Sequence, residues 1–367
     1  MSQFSQKTAR GTGEKRIKIL IVDDSALARK KLKDIFENDP EIEVVNTAAD
    51  PYIAVQKIKK NAPDVITLDL EMPRMDGLIF LKKIMDQHPI PVVVISSHTP
   101  EGSSKALRAF ELGAVEVIGK PRILSGLDLT EFQIQVCDSV HAAYLAKIGR
   151  QSHIRQNEKF AADAVLNKNL SGKSFKEIKQ KIIVIGASTG GTVALERFLT
   201  PLPELTPGIV IVQHMPENFT FSFAQRLNRK CRIEVREAKN GDIVKPGTAY
   251  IARGDSHLLI KNSGENYYVE VKKGPLVNRH RPSVDVLFRS AARYVGENAI
   301  GIIMTGMGDD GARGLLEMKQ AGAKTIAQDE KSCVVFGMPR EAIKLNCVDK
   351  VVPLEKIPEE MFKMIYK

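Results

Sequence analysis

Five short apolar runs recur through the first 120 residues, each followed by a stretch with helical spacing. The runs are IKILIV (17–22), EVVNTA (43–48), DVITLDL (64–70), PVVVIS (91–96) and VEVI (115–118). Between them lie amphipathic segments such as LARKKLKDIF (27–36) and GLIFLKKIMDQH (77–88). Apolar strands alternating with helices fold into a parallel sheet covered on both faces. Five of them, closed by a helix through 129–147, predict a complete doubly wound α/β domain over 17–147. The rhythm is lost over 148–180, which is polar and reads as a linker. It resumes at KIIVIG (181–186) and continues through GIVIVQ (208–213) and a β-rich insert near 232–273. A helix SVDVLFRSAARYV (283–295) and the strands IGIIMT (300–305) and AKTIAQ (323–328) follow. The expectation is a second, larger α/β domain with a parallel sheet over 181–367, and a loose polar leader over 1–16.

Composition narrows the function classes. No run approaches the roughly 18–20 apolar residues of a membrane span, and the polar start lacks the apolar stretch of a secretory signal, so a cytoplasmic protein is expected. Cys137, Cys231, Cys333 and Cys347 lie far apart without a CxxC pair, which suggests neither a zinc site nor a disulfide framework. The net charge of +10 invites a nucleic-acid reading. Eight Lys and Arg against three acids fall between 150 and 181, however, in a stretch better explained as a solvated linker. Trp is absent and aromatics are few, so a base-stacking surface is not expected, and nor is a nucleic-acid partner.

Asp23 and Asp24 follow the first strand and Asp69 ends the third. In a parallel sheet these ends meet at the carboxyl edge, where open α/β folds bind ligands. Carboxylates crowded together favour a hard cation such as Mg²⁺, and one of them can act as nucleophile toward a phosphoryl group. Ser96 ends the fourth strand and Lys120 the fifth, offering a hydroxyl and an ammonium to phosphoryl oxygens. Taken singly, Asp23 reads better as a helix cap; the ordered set at four strand ends points to chemistry.

In the second domain, KIIVIGASTGG admits two motifs. A dinucleotide loop needs glycine at 186, 188 and 191, but Ser188 stands at the middle position, and the next strand ends in Gln213 rather than an acid for a ribose. A nucleophile elbow, G-x-S-x-G, fits Gly186 to Gly190 with Ser188 as the nucleophile; a plain helix cap is the alternative. Of seven histidines, His214 follows the strand GIVIVQ and so falls at the same sheet edge. His280 precedes a helix and suits substrate binding, and His257 suits an ordinary half-buried role. The loop GMGDDGARG offers Asp309 and Asp310, one to hold the histidine and the other to cap the helix, and backbone N–H groups for an oxyanion.

The stretches IVDDSALARK, LDLEMPRMDG and VISSHT…GKP closely resemble the response-regulator receiver family over 17–147. GASTGG, QHMP, HRPSVDVLF and TGMGxDG resemble the catalytic domain of the chemotaxis protein-glutamate methylesterases over about 181–367. The first resemblance implies Asp69 as phosphoacceptor and Mg²⁺ held by Asp23, Asp24, Asp69 and the Glu71 carbonyl, with Ser96 and Lys120 as switch residues. The family often has an aromatic where Val117 stands. The second implies Ser188 as nucleophile, His214 as base, Asp310 as its partner and the Met307 amide as oxyanion donor with Thr189 close by. It implies no cofactor for the ester chemistry, and the family often has Asn in place of Asp309. The implied substrates are methylated glutamates and specific glutamines on methyl-accepting chemotaxis receptors, reached through protein contacts at the membrane. A chemotaxis histidine kinase is the implied phosphodonor, with the unphosphorylated receiver packed over the triad. A DNA-binding regulator, an NAD-dependent enzyme and an adaptor with a dead hydrolase domain remain as alternatives.

Overall fold

The computed structural model describes residues 16–72, 75–96, 100–120, 127–146, 181–217, 219–264 and 266–366. The leader expected over 1–16 lies outside them except for Arg16, and the expected linker over 148–180 lies outside them entirely.

The first sheet has the strands β1 (Ile17–Val22), β2 (Ile42–Ala48), β3 (Val65–Asp69), β4 (Val92–Ser96) and β5 (Glu116–Gly119). They are all parallel, in the order β2-β1-β3-β4-β5. β3 and β4 are buried along their whole length, because helices cover both faces. Those helices are α1 (Ala26–Glu37), α2 (Pro51–Lys60), α3 (Gly77–Gln87), α4 (Pro100–Glu111) and α5 (Leu127–Leu145). Side-chain caps start the first three: Ser25, Asp50 and Asp76 accept from Ala28, Ile53 and Leu78 N–H.

The second sheet is larger. β6 (Ile182–Ala187), β7 (Gly208–Gln213), β8 (Glu234–Glu237), β9 (Thr248–Ile251), β12 (Ala299–Ile303), β13 (Lys324–Gln328) and β14 (Lys350–Val352) pair in parallel as β14-β13-β12-β6-β7-β9-β8. The expected β-rich insert is thus corrected. Its first two strands, β8 and β9, extend the main sheet; only β10 (His257–Ser263) and β11 (Asn266–Lys272) form a separate antiparallel hairpin. The helices are α6 (Gly191–Leu199), α7 (Phe219–Asn228), α8 (Val284–Tyr294), α9 (Ala312–Gln320), α10 (Met338–Lys344) and α11 (Ile357–Ile365). The sheet order reverses beside β6, which is followed on one side by β7 and flanked on the other by β12. The ends of β6, β7 and β12 therefore border the crevice where such sheets bind ligands.

The two units pack together. One apolar cluster includes Leu107 and Phe110 of α4 with Phe219 and Phe223 of α7. Arg226 on α7 bonds Glu111 at 2.8 Å and the Leu107 carbonyl at 3.0 Å. No helix among the described residues is long and apolar enough to cross a membrane.

Candidate active site

The first sheet gathers its polar residues at the carboxyl edge. Asp23 and Asp69 are buried, Asp24 is exposed, and oxygens of all three lie within 4.8 Å of one another. Lys120 Nζ donates to Asp69 at 2.6 Å and to Asp23 at 3.0 Å. Burial works against the lysine's charge, but the two carboxylates outweigh it and raise its pKa above the ordinary value. Burial likewise raises the pKa of Asp69, opposed by Lys120. The Glu71 N–H donates to Asp69 at 3.2 Å, and Ser96 is fully buried at the end of β4. Three clustered carboxylates form an oxygen donor set suited to a hard divalent cation. Val117 is buried inside β5.

In the second sheet, β6 delivers Ser188 through a turn that depends on glycine. Gly190 has φ +79°, and a Cβ there would stand 2.6 Å from the Val334 side chain. Gly190→Ala is expected to lower unfolding free energy by about 2–4 kcal/mol, from left-handed strain plus overpacking, as read by chemical denaturation. Gly190, not Ser188, is the residue preceding α6, so the hydroxyl is not consumed as a helix cap. Gly186 serves close approach: a Cβ would meet Val284 at 2.2 Å, so its absence lets the start of α8 reach the sheet edge.

His214 follows β7, its N–H held by the Ala187 carbonyl at 3.1 Å. Gln213 ties the two strand ends together, donating to the carbonyls of Ser188 at 3.0 Å and His214 at 3.1 Å. His214 Nδ1 lies 3.1 Å from Ser188 Oγ, and Nε2 lies 2.8 Å from Asp310 Oδ2. A carboxylate only accepts, so Nε2 carries the proton and Nδ1 accepts from the serine. The ring is turned the other way round from the serine-protease arrangement, with the same connectivity.

Asp310 is 1% exposed and sits against the N-terminus of α8. Besides His214, it accepts from Val284 N–H at 2.7 Å, Asp285 N–H at 3.1 Å, Ser283 Oγ at 2.8 Å and Asn278 Nδ2 at 2.8 Å. Burial opposes its charge, but the bond from His214, the imidazole's proximity and the Asn278 bond overcome it. They hold its pKa well below the carboxylate range. Asp309, next to it, is exposed and caps nothing with its side chain; α9 begins from Gly311 at φ +94°.

His280 stacks on His214 with ring centroids 3.7 Å apart. Burial first, then the neighbouring His214 and Arg279, push its pKa down to about 3 against Asp310, so it is neutral at neutral pH. His257, expected to be half-buried, is buried; it bonds the Pro275 carbonyl at 2.8 Å and accepts at 3.2 Å from the N–H of Ser283, the residue whose hydroxyl holds Asp310. Met307 borders the Ser188 cavity, and its N–H donates to no acceptor among the described residues.

The cavity, about 420 Å³, lies between the two units. Its floor holds Ser188, His214 and Met307; Glu116, Phe132 and Asp138 of the first unit line its other side. The Thr189 hydroxyl donates to Glu116 of β5 at 2.8 Å. Burial pushes the Glu116 carboxyl up to about 7, against the Thr189 and Val117 bonds.

The chain matches the response regulator receiver domain over residues 19–128 and the CheB methylesterase family over 183–361. It is 56% identical to "Protein-glutamate methylesterase/protein-glutamine glutaminase 3" of Geobacter metallireducens over 95% of this chain and 99% of that one. The chain belongs to this family of receiver-linked CheB methylesterases. It is also 56% identical to "Protein-glutamate methylesterase/protein-glutamine glutaminase 5" of Anaeromyxobacter dehalogenans, over 96% of this chain and 98% of that protein. The solved Thermotoga maritima CheB methylesterase catalytic domain is similar over 51% of this chain and 97% of that one, at 43% identity and a TM-score of 0.49.

Two features of this site escape a motif reading. Asn278, which bonds both Asp310 and Asp285, sits in an unremarkable NR dipeptide; only its position before HRPSVD marks it. Glu116, which reaches Thr189 across the cavity, breaks an otherwise apolar strand, and a charge inside a buried run is the signal that flags it.

Proposed function

We propose that this chain hydrolyses glutamate methyl esters, and deamidates specific glutamines, on methyl-accepting chemotaxis receptors, under control of phosphorylation at Asp69. The observation carrying this reading is the unbroken relay from Ser188 Oγ through His214 to Asp310, on the floor of a cavity roofed by the receiver. Ser188 attacks the ester carbonyl as His214 Nδ1 takes its proton, and Asp310 stabilises the imidazolium. The Met307 N–H, with Thr189 beside it, donates to the oxyanion. His214 returns the proton to the departing methoxide, and methanol leaves. Water, deprotonated by the same imidazole, then attacks the acyl-serine, releasing glutamate and restoring the hydroxyl. A primary amide follows the same course with ammonia as the leaving group.

The receiver is the natural control element. Its β5 and α5 border the cavity, so a receptor helix cannot reach Ser188 until this face moves. Asp69 takes the phosphoryl group from a chemotaxis histidine kinase, and Ser96 and Lys120 bind its oxygens. Asp23, Asp24, Asp69 and the Glu71 carbonyl would hold Mg²⁺, which supplies the charge that offsets the phosphoryl oxygens. With a phosphodonor, methanol release from methylated receptors should rise about 5–150-fold, the span of a 1–3 kcal/mol coupling. Asp69→Asn should stay at the unstimulated rate. Stimulation that survives in Asp69→Asn would reject control through this residue.

A further inference from the structure

Arg279 stands where the backbone favours glycine. Val277 and His280 exchange backbone hydrogen bonds of 3.1 and 2.9 Å, closing a two-residue loop with Asn278 at φ +50° and Arg279 at φ +66°. Positive φ at both central residues marks a type I′ turn, in which Asn-Gly is preferred. Asn278 tolerates the conformation and uses it to hold Asp310 and Asp285. No internal bond of that kind compensates Arg279: its side chain is 62% exposed and pairs with Asp138 of α5 at 3.1 Å. A strained backbone retained under an exposed arginine points to a use for the side chain.

Arg281, two residues on, is anchored to Asp255 at 2.7 Å and to the Gly274 carbonyl at 2.9 Å, and reaches Glu131 of α5 at 3.3 Å. Both arginines line the Ser188 cavity. Their partners Glu131 and Asp138 lie seven residues apart, two turns along one face of a helix. In this arrangement, a helix laid across the triad presents two carboxylates to two arginines.

We propose that Arg279 and Arg281 read carboxylates on the substrate, selecting an acidic helix whose glutamates share a face with the reactive side chain, and that α5 occupies this rim in the resting protein. The inference rests on reading Ser188 as the nucleophile for glutamyl esters. That chemistry turns a neutral ester into a carboxylate, so a helix with a second modifiable glutamate becomes acidic as it is processed. Receiver and substrate then compete for the same cations.

The test uses full-length protein supplied with a phosphodonor, so that α5 leaves the rim, and two helical peptides, each with one glutamyl methyl ester and either Glu or Gln seven residues away. The wild type should favour the Glu peptide by about tenfold in kcat/KM, through KM, with the preference shrinking as salt is added. Arg279→Gly should lose the preference yet unfold no earlier, because glycine suits the turn. Arg279→Lys should keep most of it. In Arg279→Glu combined with Asp138→Arg, the interdomain ion pair is restored with reversed polarity, and the Glu peptide should become the poorer substrate. An undiminished preference in Arg279→Gly, or its recovery in the charge swap, would overturn the proposal. Fluorescence-anisotropy binding of ester-free versions, with Gln at the reactive position, to Ser188→Ala should rank the peptides in the same order. If that ranking holds while neither ester is cleaved, the esterase reading fails and the carboxylate rim stands. Equal binding of the two peptides sinks the rim.

Discussion

Ser188→Ala is expected to lose on the order of 10⁶-fold in turnover, the scale seen when a triad nucleophile is deleted, while folding normally. The fold is spared because little depends on the hydroxyl. Its one hydrogen bond with a side chain, to His214 Nδ1, faces a cavity where water can replace it. The turn is held by backbone: Ser188 N–H donates to Thr305 at 3.0 Å and its carbonyl accepts from Gly191 N–H at 2.6 Å. Thermal unfolding of the second unit, residues 181–367, should therefore move by no more than about 2–4 °C, the shift for roughly 1 kcal/mol in a domain of that size. Methanol release from methylated receptors, followed by mass spectrometry, gives the activity side. Turnover within tenfold of the wild type would remove Ser188 from the mechanism.

The reason the triad is legible in sequence is topological. Each member directly follows a strand or sits in the loop after one, and parallel strands deliver their carboxyl ends to one edge, so residues 26 and 96 positions apart become neighbours. The same logic gathers Asp23, Asp69, Ser96 and Lys120. Local pattern does not say which strands pair, and this is why EVRE (234–237) and TAYI (248–251) read as an insert yet extend the main sheet in parallel. Nor does it separate Asp309 from Asp310. The two share a loop and a chemistry, and only the arrival of α8 makes one of them a buried anchor and leaves the other in solvent. Contacts between the units, such as Glu116 with Thr189 and Asp138 with Arg279, depend on how two finished surfaces meet. Each unit's apolar periodicity would be satisfied without them.

Asp310→Asn should be the most informative change, because one atom alters both chemistry and stability. The carboxylate accepts five hydrogen bonds, three of them from the backbone N–H groups and the cap hydroxyl at the start of α8. An amide offers one accepting oxygen, and its NH₂ would face donors. If that NH₂ meets His214, it donates to Nε2 and drives the proton to Nδ1, where the ring can no longer accept from Ser188. A triad with this wrong tautomer loses about 10⁴-fold in kcat. In that orientation Val284 N–H, which shares Oδ2 with His214, loses its acceptor; with the NH₂ at the Oδ1 position, Asp285 N–H loses its own. Either way a buried donor is stranded at about 1–3 kcal/mol, and the lost negative charge at the helix N-terminus costs up to about 2 kcal/mol more. The sign of the pH effect follows from the depressed pKa. An aspartate more acidic when folded than its ordinary value of 3.8 stabilises the protein above that value and stops doing so as pH falls through the folded pKa. The stability gap between wild type and Asp310→Asn, measured by urea unfolding, should therefore be full at neutral pH and narrow steadily below about pH 4. A gap that stays constant down to pH 2.5, or widens in acid, would mean the carboxylate's charge is not what holds α8 against the triad.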